Sequence, residues 1–446
     1  MRPGFSLEGG FIVMTPYNQC LSNLFKLHRF GIKLGLETIQ RILSDIGNPQ
    51  EDFKCIHIAG TNGKGSVAAL LSTILEAAGY CVGRYTSPHL ERFNERICIN
   101  SKPIDDQAVV AAHDRVRGAQ HLDRQPTFFE YTTAMALYEF SRRKVDWAII
   151  EAGMGGRLDA TNVVSPALCI ITNISLEHRF YLGHTIAAIC SEKAGIIKSG
   201  TPVVTGVSQK AAREVIRNVA QERSAPVYLK GRDFRCRRSA ISAFSYRGLH
   251  HSWPDLELGL SGSHQVDNAG LALAACEILA EAHQAAIPVQ AVRQGIKHAS
   301  WPGRMEVVCD RPHLILDGAH NLMAARVLAR HLKQHYQNRN ISLVVGVLDD
   351  KPCESILKDL SKSCDRAIIT QPVIDRAIPA DRLAALARNY FLQIKVIPNV
   401  AQAVEFAIQT SKAEDVVCVA GSLYVVGEAK AALRRLGINN KKPSNP

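Results

Sequence analysis

Residues 53–71, FKCIHIAGTNGKGSVAALL, decide the fold of this chain. The run from Phe53 to Gly60 is short, apolar and ends in glycine, which predicts a β-strand. Beyond the glycines, apolar residues recur at helical spacing as far as Ala78, and Gly79 is a natural end for that helix. A strand, a glycine-rich turn and a helix in this order predict the first unit of a parallel α/β sheet.

Strand-like and helical patterns alternate through most of the remaining sequence, which predicts a parallel sheet with helices on both faces. Residues 208–252 differ, because their periodicity is weak and they carry ten Lys and Arg against three Asp and Glu. We predict a β-rich or irregular segment there, and interpret Arg235-Cys-Arg-Arg238, which has no interleaved aromatic residues, as a basic surface loop rather than a nucleic-acid patch. A helix is predicted again around residues 264–282. The other strand candidates of this half are residues 80–87, 146–153, 167–175 and 202–206.

The stretch IKHASWPGRME, residues 296–306, predicts a domain boundary, because its Pro-Gly pair breaks any helix. Strand and helix candidates then resume, and they predict a second doubly wound unit of normal domain size. Its strand candidates are residues 313–318, 341–348, 366–373, 394–399 and 415–421.

The composition is that of a globular protein. Of 446 residues, 46% are hydrophobic and 21% are charged, which excludes a disordered chain and a disulfide-stapled miniprotein. The formal net charge is +12, from 53 Lys and Arg against 41 Asp and Glu, and it suits anionic partners such as nucleotides, acidic metabolites, nucleic acid or anionic membranes. The 12 cysteines are scattered without a CxxC pair, which favours a reducing cytosol over disulfides or a zinc cluster. No signal peptide or membrane span is predicted, and Met1 and Met14 are both candidate starts.

Residues 60–66, GTNGKGS, have the character of a phosphate-binding loop. Glycines let the backbone approach phosphate oxygens, amides at the helix start point at the anion, and Lys64 neutralises charge. The loop departs from the pattern GxxxxGK[ST], since Ile58 stands at the first glycine position and Gly65 separates the lysine from Ser66. An ordinary glycine-rich turn is the alternative, but the strand–helix context favours phosphate binding.

Polar side chains follow two further strand candidates. Glu151 ends the apolar run DWAII and could either hold Mg²⁺ near the phosphates or make a local cap, since ligands of parallel sheets bind beyond the carboxyl ends of strands. The GMGG that follows is a weak dinucleotide signature, because Leu158 stands where the last glycine is needed. His178 also falls beyond a strand, where a structural histidine is the commoner interpretation. Lys193, taken alone, is interpreted as a solvated surface lysine.

In the second unit, Asp317 and His320 close a strand and start a helix in the motif LDGAHN. Such side chains at the rim of both units predict a composite site between the domains. The alternative is that Asp317 or Asn321 only caps the helix. His331 and His335 lack the glutamate of a metalloprotease motif and are interpreted as solvated residues.

Together these motifs resemble the folylpolyglutamate synthase/dihydrofolate synthase group of the Mur ligase superfamily of ATP-dependent amide ligases. The resemblance covers nearly the whole chain, in order and at similar spacing. The chain departs from the group at Lys33, where Asp is frequent, and at Arg179, which could alter the rim of the cleft. The matching motifs are GIKLGLE (31–37), HIAGTNGKGS (57–66), YTSPHLERFNERI (85–97), TFFEYTT (127–133), EAGMGGRLDATN (151–162), ISLEH (174–178), EKAGIIK (192–198), WPGRME (301–306), LDGAHN (316–321) and GSLYVVGE (421–428).

The resemblance implies an α/β fold with two domains. Residues 1–297 are expected to form a P-loop ATPase domain of the Mur ligase central type that carries the pterin site. Residues 303–440 are expected to form a smaller C-terminal, Rossmann-like glutamate ligase domain. The implied cofactors are ATP and Mg²⁺, with a monovalent cation such as K⁺ as a further expectation.

The resemblance also assigns roles to individual residues. Catalysis is assigned to Lys64, Lys193, Asp317 and His320. Magnesium ligation is assigned to Ser87, Glu151 and His178, together with Lys193 once that lysine is carbamylated. ATP contacts are assigned to Gly60, Thr61, Asn62, Gly63, Lys64, Gly65, Ser66, Asn268, Arg304 and Asp317. The pterin site is assigned to Thr127, Phe129, Asp159 and Ala160.

The implied activity is the ATP-dependent addition of L-glutamate to a folate precursor or a folate through an acyl phosphate. The acceptor is dihydropteroate, which gives dihydrofolate, or tetrahydrofolate, which gains a polyglutamate chain, or both. A monomeric cytoplasmic enzyme without nucleic-acid or membrane partners is expected. A cell-wall ligase acting on UDP-muramyl peptides is disfavoured by the TSPHL and TFFE motifs. An inactive nucleotide-binding module and a basic RNA-associated protein are disfavoured by the joint presence of the candidate catalytic residues.

Overall fold

The structure is a computed structural model that describes residues 6–8, 11–27, 31, 33–119, 123–240 and 242–438. Ile32, in the first matching motif, and the C-terminal residues 439–446 lie outside these ranges. The chain divides into two compact units. They consist of Met1–Gly259 with Gln265–Ser300, and of Leu260–His264 with Trp301–Pro446.

The first unit is organised around a mixed sheet. Its described strands are β1 (Ser6–Glu8), β2 (Phe11–Val13), β3 (Lys54–Ala59), β4 (Val82–Tyr85), β5 (Ile97–Ile99), β6 (Lys102–Pro103), β7 (Trp147–Glu151), β8 (Leu168–Ile171), β9 (Val203–Thr205), β10 (Val227–Leu229), β11 (Arg235–Arg238), β12 (Ala243–Arg247) and β13 (Ser252–Glu257). The main sheet has the order β10-β9-β8-β3-β7-β4-β5-β6. Neighbouring strands are parallel from β10 to β4, and β5 and β6 extend the edge in antiparallel fashion. The strands β11, β12 and β13 form a separate antiparallel sheet.

Helices cover both faces of the main sheet. The described helices of this part of the chain are α1 (Pro16–Lys26), α2 (Glu37–Asp45), α3 (Lys64–Ala77), α4 (Asp106–Arg117), α5 (Phe128–Arg142), α6 (Arg179–Leu182), α7 (Ile186–Ala194), α8 (Lys210–Glu222), α9 (Ser263–His283) and α10 (Val289–His298). Ala148 and Ile150 of β7 belong to an apolar core that includes residues of α4 and α5, while α3 also packs on β7. The predicted α/β class with helices on both faces is therefore confirmed.

Helix α3 runs through the interior of the unit. It begins at Lys64, and Gly79 follows its end with φ of 94°, as the sequence predicts. Leu70, Leu71 and Ile74 are fully buried. Helix α10 approaches so closely at Gly295 that a Cβ there would lie 2.5 Å from the Cα of Ile74. Only glycine lets the two helix backbones touch in this way.

The segment 208–252 is more regular than its composition predicts. It starts with helix α8, in which Ala212, Ile216 and Ala220 form a narrow buried stripe, so the prediction of an irregular segment is wrong there. Many charged residues around that stripe hide its helical period. The β-rich part is confirmed by β11, β12 and β13, and the interpretation of Arg235–Arg238 as a loop is wrong, because these residues are strand β11.

The second unit holds another sheet, of order β14-β15-β19-β16-β17-β18. Its described strands are β14 (Glu306–Asp310), β15 (His313–Leu316), β16 (Ile341–Val345), β17 (Arg366–Ile369), β18 (Gln393–Val396) and β19 (Val416–Ala420), and its helices are α11 (Leu322–Tyr336), α12 (Cys353–Leu360), α13 (Ala380–Ala387), α14 (Val400–Gln409) and α15 (Leu423–Arg435). All strand pairs are parallel except β14 with β15. The sequence predicts β15 to β19 and misses β14. Among the described residues, no helix is long and apolar enough to cross a membrane.

Candidate active site

The loop between β3 and α3 is closely packed. Gly60 has φ of 144°, and a Cβ there would lie 1.9 Å from Thr172 Oγ1. Gly63 has φ of 86°, and a Cβ there would lie 2.4 Å from Asn268 Oδ1. Both positions combine positive φ with a neighbour that leaves no room, so the loop requires glycine at each.

The loop is also tied to the segment that follows β8. The amide of Thr61 donates to the Asn173 carbonyl at 2.8 Å, and the amide of Asn62 donates to Asn173 Oδ1 at 3.0 Å. Thr172 Oγ1 and Asn173 Nδ2 both donate to the Asn62 carbonyl, at 2.7 and 2.8 Å. These bonds hold the loop in one shape before any ligand arrives.

The start of α3 can receive an anion. Gly63 precedes the helix, and within the described residues no side chain caps it. The first hydrogen bond along the helix runs from the amide of Val67 to the Gly63 carbonyl at 2.9 Å. The amides of Lys64, Gly65 and Ser66 are therefore the donors that an anion at a helix N-terminus uses.

Two lysine side chains converge on one carbonyl of this loop. Lys64 Nζ donates to the carbonyls of Gly60 and Thr61 at 3.2 and 3.3 Å, and it lies 3.8 Å from Glu151 Oε1. Lys193 Nζ donates to the same Gly60 carbonyl at 2.8 Å. A phosphate bound at the helix start would thus lie beside concentrated positive charge.

Lys193 is not the solvated surface lysine that its own sequence context suggests, because only 4% of it is exposed. Burial lowers its pKa to about 7, and the positive charge of Lys64 acts in the same direction. The carboxylates of Glu177 and Asp159 oppose this shift. A substantial fraction of this amine is neutral near pH 7, and a neutral amine is the nucleophilic form.

Candidate metal-ligating side chains lie next to these lysines. Glu151 ends β7, is 5% exposed, and accepts a hydrogen bond from the amide of Ser87 at 3.2 Å through Oε2. The structure therefore brings the Glu151 carboxylate, Ser87 and the Lys64 ammonium together. His178 is the N-cap of α6, with left-handed φ of 52°, and it directly follows Glu177, whose charge acts on Lys193. The Glu151 carboxylate and the Ser87 hydroxyl are oxygen ligands that suit a divalent cation, and the assignment of His178 as a third ligand stays a prediction.

Asn268 reaches the loop from α9. It is 5% exposed, and its Nδ2 donates to Gln265 Oε1 at 2.8 Å. That bond fixes the amide so that Oδ1 faces Gly63, as the close approach at that glycine shows. Asn268 therefore supports the glycine-rich loop from the side.

The residues assigned to a pterin site lie on α5 and after β7. Thr127 is the N-cap of α5, and its amide and hydroxyl donate to Glu130 Oε2 at 2.7 and 2.9 Å. Arg124 holds the same carboxylate from outside at 2.9 and 2.7 Å. The Phe129 ring packs against Gly153, where a Cβ would lie 2.6 Å from Phe129 Cζ. This helix start is thus fixed against the loop that follows β7.

Asp159 organises that loop. Its Oδ2 accepts from the amide of Met154 at 2.9 Å, and its Oδ1 accepts from the amide and the hydroxyl of Thr161 at 3.0 and 2.5 Å. Burial raises its pKa, while these hydrogen bonds oppose the shift. Ala160 follows in the same turn and is also buried. In this structure both oxygens of Asp159 serve the loop, and its assignment to substrate stays a prediction.

In the second unit, Asp317 and His320 belong to one cluster at the end of β15. Asp317 accepts from the amide of Met305 at 2.9 Å and from the amide of Ala319 at 2.9 Å. Arg304 lies beside Gly318, where a Cβ would be 2.3 Å from Arg304 Nη1. Asp317 therefore ties the WPGRME segment to the strand end instead of capping the helix.

The other two residues of this motif have distinct roles. His320 Nδ1 donates to the Gly318 carbonyl at 2.8 Å, which in the neutral ring places the lone pair on Nε2. Asn321 is the N-cap of α11 and accepts from the amide of Ala324 at 2.9 Å. The helix-capping interpretation thus holds for Asn321 alone.

Sequence reasoning missed Thr172 and Asn173, which shape the glycine-rich loop. Their signal is present as the pair Thr-Asn directly after the apolar run ALCII. Polar residues at that point of a parallel strand reach the same edge as the loop after β3, because β8 pairs with β3.

Comparison with known proteins gives a consistent result. The Mur ligase middle domain matches residues 58–276, and the glutamate ligase domain of Mur ligases matches residues 303–423. The dihydrofolate synthase/folylpolyglutamate synthase of Bacillus subtilis (strain 168) is 36% identical over 432 residues, which cover 95% of this chain and 100% of that protein. The protein of the same name from Escherichia coli (strain K12) is 34% identical over 425 residues, 95% of this chain and 97% of that protein.

Solved structures agree with these sequence matches. Escherichia coli FolC in complex with DHPP and ADP has a TM-score of 0.88 at 33% identity, and the match covers 95% of this chain and 99% of that chain. The bifunctional folylpolyglutamate synthase/dihydrofolate synthase with Mn, AMPPNP and L-glutamate bound has a TM-score of 0.84 at 32% identity, and the match covers 93% of this chain and 98% of that chain.

Proposed function

This chain belongs to the folylpolyglutamate synthase/dihydrofolate synthase family of Mur ligases, and we propose that it is an ATP-dependent ligase that adds L-glutamate to dihydropteroate, to tetrahydrofolate, or to both. The observation that carries the proposal is the pair of lysines, Lys64 and Lys193, on the Gly60 carbonyl beside an uncapped helix start. Such a site suits a nucleotide phosphate. The names and bound ligands of the relatives supply the acceptor and the amino acid.

A carboxylate does not react with an amine at neutral pH, because its leaving group would be oxide. Phosphorylation of the carboxylate by ATP solves this problem. The acyl phosphate is then attacked by the α-amine of L-glutamate, the amide bond forms, and inorganic phosphate leaves with the electron pair of the broken C–O bond. Positioning and charge stabilisation are the main contributions of a protein to such a transfer.

The residues of the loop are proposed to perform that work. The amides of Lys64, Gly65 and Ser66 bind phosphate oxygens, and the Lys64 ammonium stabilises the charge of the transferring group. Thr172 and Asn173 keep the loop in shape, so little reorganisation is needed when the nucleotide binds.

Ser87, Glu151 and His178 are proposed to hold the divalent cation. The Glu151 carboxylate is buried, lies 3.8 Å from the Lys64 ammonium and carries the negative charge that a divalent cation requires of a ligand. When bound, Mg²⁺ supplies charge neutralisation and orientation of the phosphates. A related structure contains Mn with AMPPNP, which supports a divalent metal at this kind of site.

Lys193 is proposed to become carbamylated. Its neutral amine attacks CO₂ and loses a proton, so that a buried cation becomes an anion able to help ligate the metal. The lowered pKa of Lys193 supports this step, because only the neutral amine attacks. The change also removes the repulsion between two ammonium groups on one carbonyl.

In the second unit, Arg304 and Asp317 are proposed to contact the nucleotide and His320 to act in catalysis. The amide of Met305, next to Arg304, donates to Asp317, while His320 donates to the Gly318 carbonyl and Arg304 lies beside Gly318, so these side chains are held in one arrangement. The pterin site is proposed to include Thr127, Phe129, Asp159 and Ala160, with Asp159 acting through the loop that it holds.

One experiment tests the acceptor directly. Purified protein with ATP and L-glutamate is given dihydropteroate in one reaction and tetrahydrofolate in another, and product is followed by mass. Glutamate incorporation that depends on ATP is expected in at least one reaction. Absence of product from both acceptors, with a folded protein, would refute the proposal.

The proposal extends to a monomeric enzyme of the cytoplasm. All 12 cysteines are free, which supports a reducing compartment. Size-exclusion chromatography with light scattering tests the monomer, since a stable dimer would elute at twice the mass of 48.9 kDa.

A further inference from the structure

The three-stranded sheet of β11, β12 and β13 presents an arginine-rich face to solvent. In its register Arg235 pairs with Arg247, and Arg237 pairs with Ser245. Side chains alternate along a strand, so these residues share one face. All three arginines are exposed. We call Arg235, Arg237 and Arg247 the arginine face.

The opposite face of this sheet is anchored to α9. Phe244 and Tyr246 are buried, and Cys236 lies so close to α9 that a Cβ on Gly270 would be 2.8 Å from its Sγ. The buried carboxylate of Glu277 accepts from the Tyr246 hydroxyl at 2.6 Å and from amides of the β12–β13 turn. The sheet that carries the arginine face is therefore fixed firmly to α9.

The arginines of this face differ from the basic residues around them. Other basic residues nearby have acidic partners, such as Lys230 with Asp267 and Arg232 with Asp233, both at 2.7 Å. Among the residues that the structure describes, no carboxylate pairs with an arginine of the face. Like charges directly opposite each other on a sheet are unfavourable, so an external anion would stabilise them.

We propose that the arginine face binds the oligo-γ-glutamyl chain of a polyglutamylated folate, an inference that rests on the proposed function. Each γ-glutamyl unit carries one α-carboxylate, and arginine binds carboxylates in a bidentate manner. An extended α-peptide advances about 3.6 Å for three backbone bonds, so a γ-glutamyl unit with five bonds advances about 6 Å. Alternate residues of a strand, such as Arg235 and Arg237, are about 6.6 Å apart.

The character of the face favours this chain over a nucleic acid. The aromatic residues Phe244 and Tyr246 point towards α9, so the arginine face offers no ring on which a base could stack. Ser245 between the arginines supplies a small hydroxyl. Guanidinium and hydroxyl groups without stacking platforms suit a chain of carboxylates.

The position of the face predicts a threshold in chain length. Asn268 contacts the phosphate-binding loop at Gly63, while Gly270 contacts Cys236 of the sheet. Residues two apart project from nearly opposite sides of a helix, so the loop and the sheet flank the same turn of α9. One helix diameter and one sheet layer separate the loop from the arginine face, about 20 Å in all. A chain whose terminal γ-carboxylate reacts at the loop therefore needs at least about four γ-glutamyl units to reach the arginine face.

The test compares substrates of different chain length. The variant Arg235→Gln/Arg237→Gln/Arg247→Gln is assayed with tetrahydrofolate that carries one or five glutamates. The KM for the pentaglutamate is expected to rise about tenfold, which is the combined effect of three exposed ion pairs. The KM for the monoglutamate is expected to stay unchanged. Arg217→Gln/Arg330→Gln/Arg388→Gln, which removes the same charge from other exposed positions, should behave like the parent. An unchanged pentaglutamate KM would overturn the proposal.

Binding without catalysis separates this inference from the proposed function. A fluorescent penta-γ-glutamate that lacks the pterin is titrated into the full chain, and binding is expected to weaken in the triple variant. If the protein ligates no acceptor, this titration still decides whether the face binds the chain. No binding of the peptide, or tighter binding of a single-stranded RNA that the triple variant loses, would refute the assignment.

Discussion

Replacement of Lys193 by methionine should stabilise the protein while it abolishes ligation. The pKa of Lys193 falls from 10.5 to about 7 on folding, because burial and Lys64 both disfavour its charge. The folded state therefore binds fewer protons than the unfolded state between these values, and stability rises with pH through that window. Below pH 7 the buried charge of Lys193 lowers the free energy of unfolding by its full amount. Above pH 10.5, where the lysine is neutral in both states, this destabilisation vanishes.

The magnitude follows from the same two values. One pKa unit corresponds to about 1.36 kcal/mol, so a difference of about 3.5 units costs the folded protein about 5 kcal/mol at pH 6 and, by the same linkage, about 2 kcal/mol at pH 9. Methionine fills similar space without a charge, and it loses the hydrogen bond to Gly60, worth about 1 kcal/mol. Lys193→Met should therefore be more stable by about 4 kcal/mol at pH 6 and by about 1 kcal/mol at pH 9.

Guanidinium unfolding of both proteins, followed by circular dichroism between pH 6 and pH 9, measures this difference. The buffers are depleted of CO₂ and contain EDTA, so that the lysine keeps its free amine. Other titrating groups cancel because the two proteins share them. A variant less stable than the parent at pH 6, or a difference that does not change with pH, would refute the reasoning.

Three other perturbations test the site. Lys64→Ala should abolish ATP-dependent ligation and keep the fold, and a variant with most of its turnover and an unchanged circular dichroism spectrum would contradict the phosphate role. Lys193→Ala should be inactive and regain part of its turnover with short carboxylic acids that replace the carbamate; full activity without them would exclude carbamylation. Gly63→Ala should weaken ATP binding at least tenfold, because its Cβ would meet Asn268 Oδ1 at 2.4 Å, and Gly79→Ala, at a positive-φ glycine with open space, is the matched control measured by the same calorimetric titration.

The parallel core of both units was predictable because it depends on local pattern. Runs such as residues 53–60 and 415–421 are mostly apolar, as is typical of strands covered on both faces. The strands β5, β6 and β14, which the sequence missed, pair in antiparallel fashion at or next to the edge of their sheets, so they lack the long apolar run of a strand that is covered on both faces. Helix α8 was missed because its buried stripe is only one residue wide at each turn.

The same distinction between local pattern and long-range packing applies to the candidate site. The glycine-rich loop is a contiguous motif, and the residues alone predicted phosphate binding there. The position of Lys193 depends on the packing of α7 against a loop more than a hundred residues earlier, and no local pattern encodes that contact. Only the resemblance assigned a role to Lys193. The supporting bonds of Thr172 and Asn173 likewise arise from the pairing of β8 with β3.

The contact between Gly295 and Ile74 makes the orientation of α3 depend on the size of the residue at position 295. Ile74 is ten residues from Lys64, about 15 Å along the helix, and the two backbones meet there with no side chain between them. Any residue larger than glycine at position 295 would displace α3 at this contact. Since a helix moves as a stiff rod, the displacement would tilt the amides at its far end. Nucleotide affinity is thus sensitive to the volume of a side chain that never approaches the nucleotide.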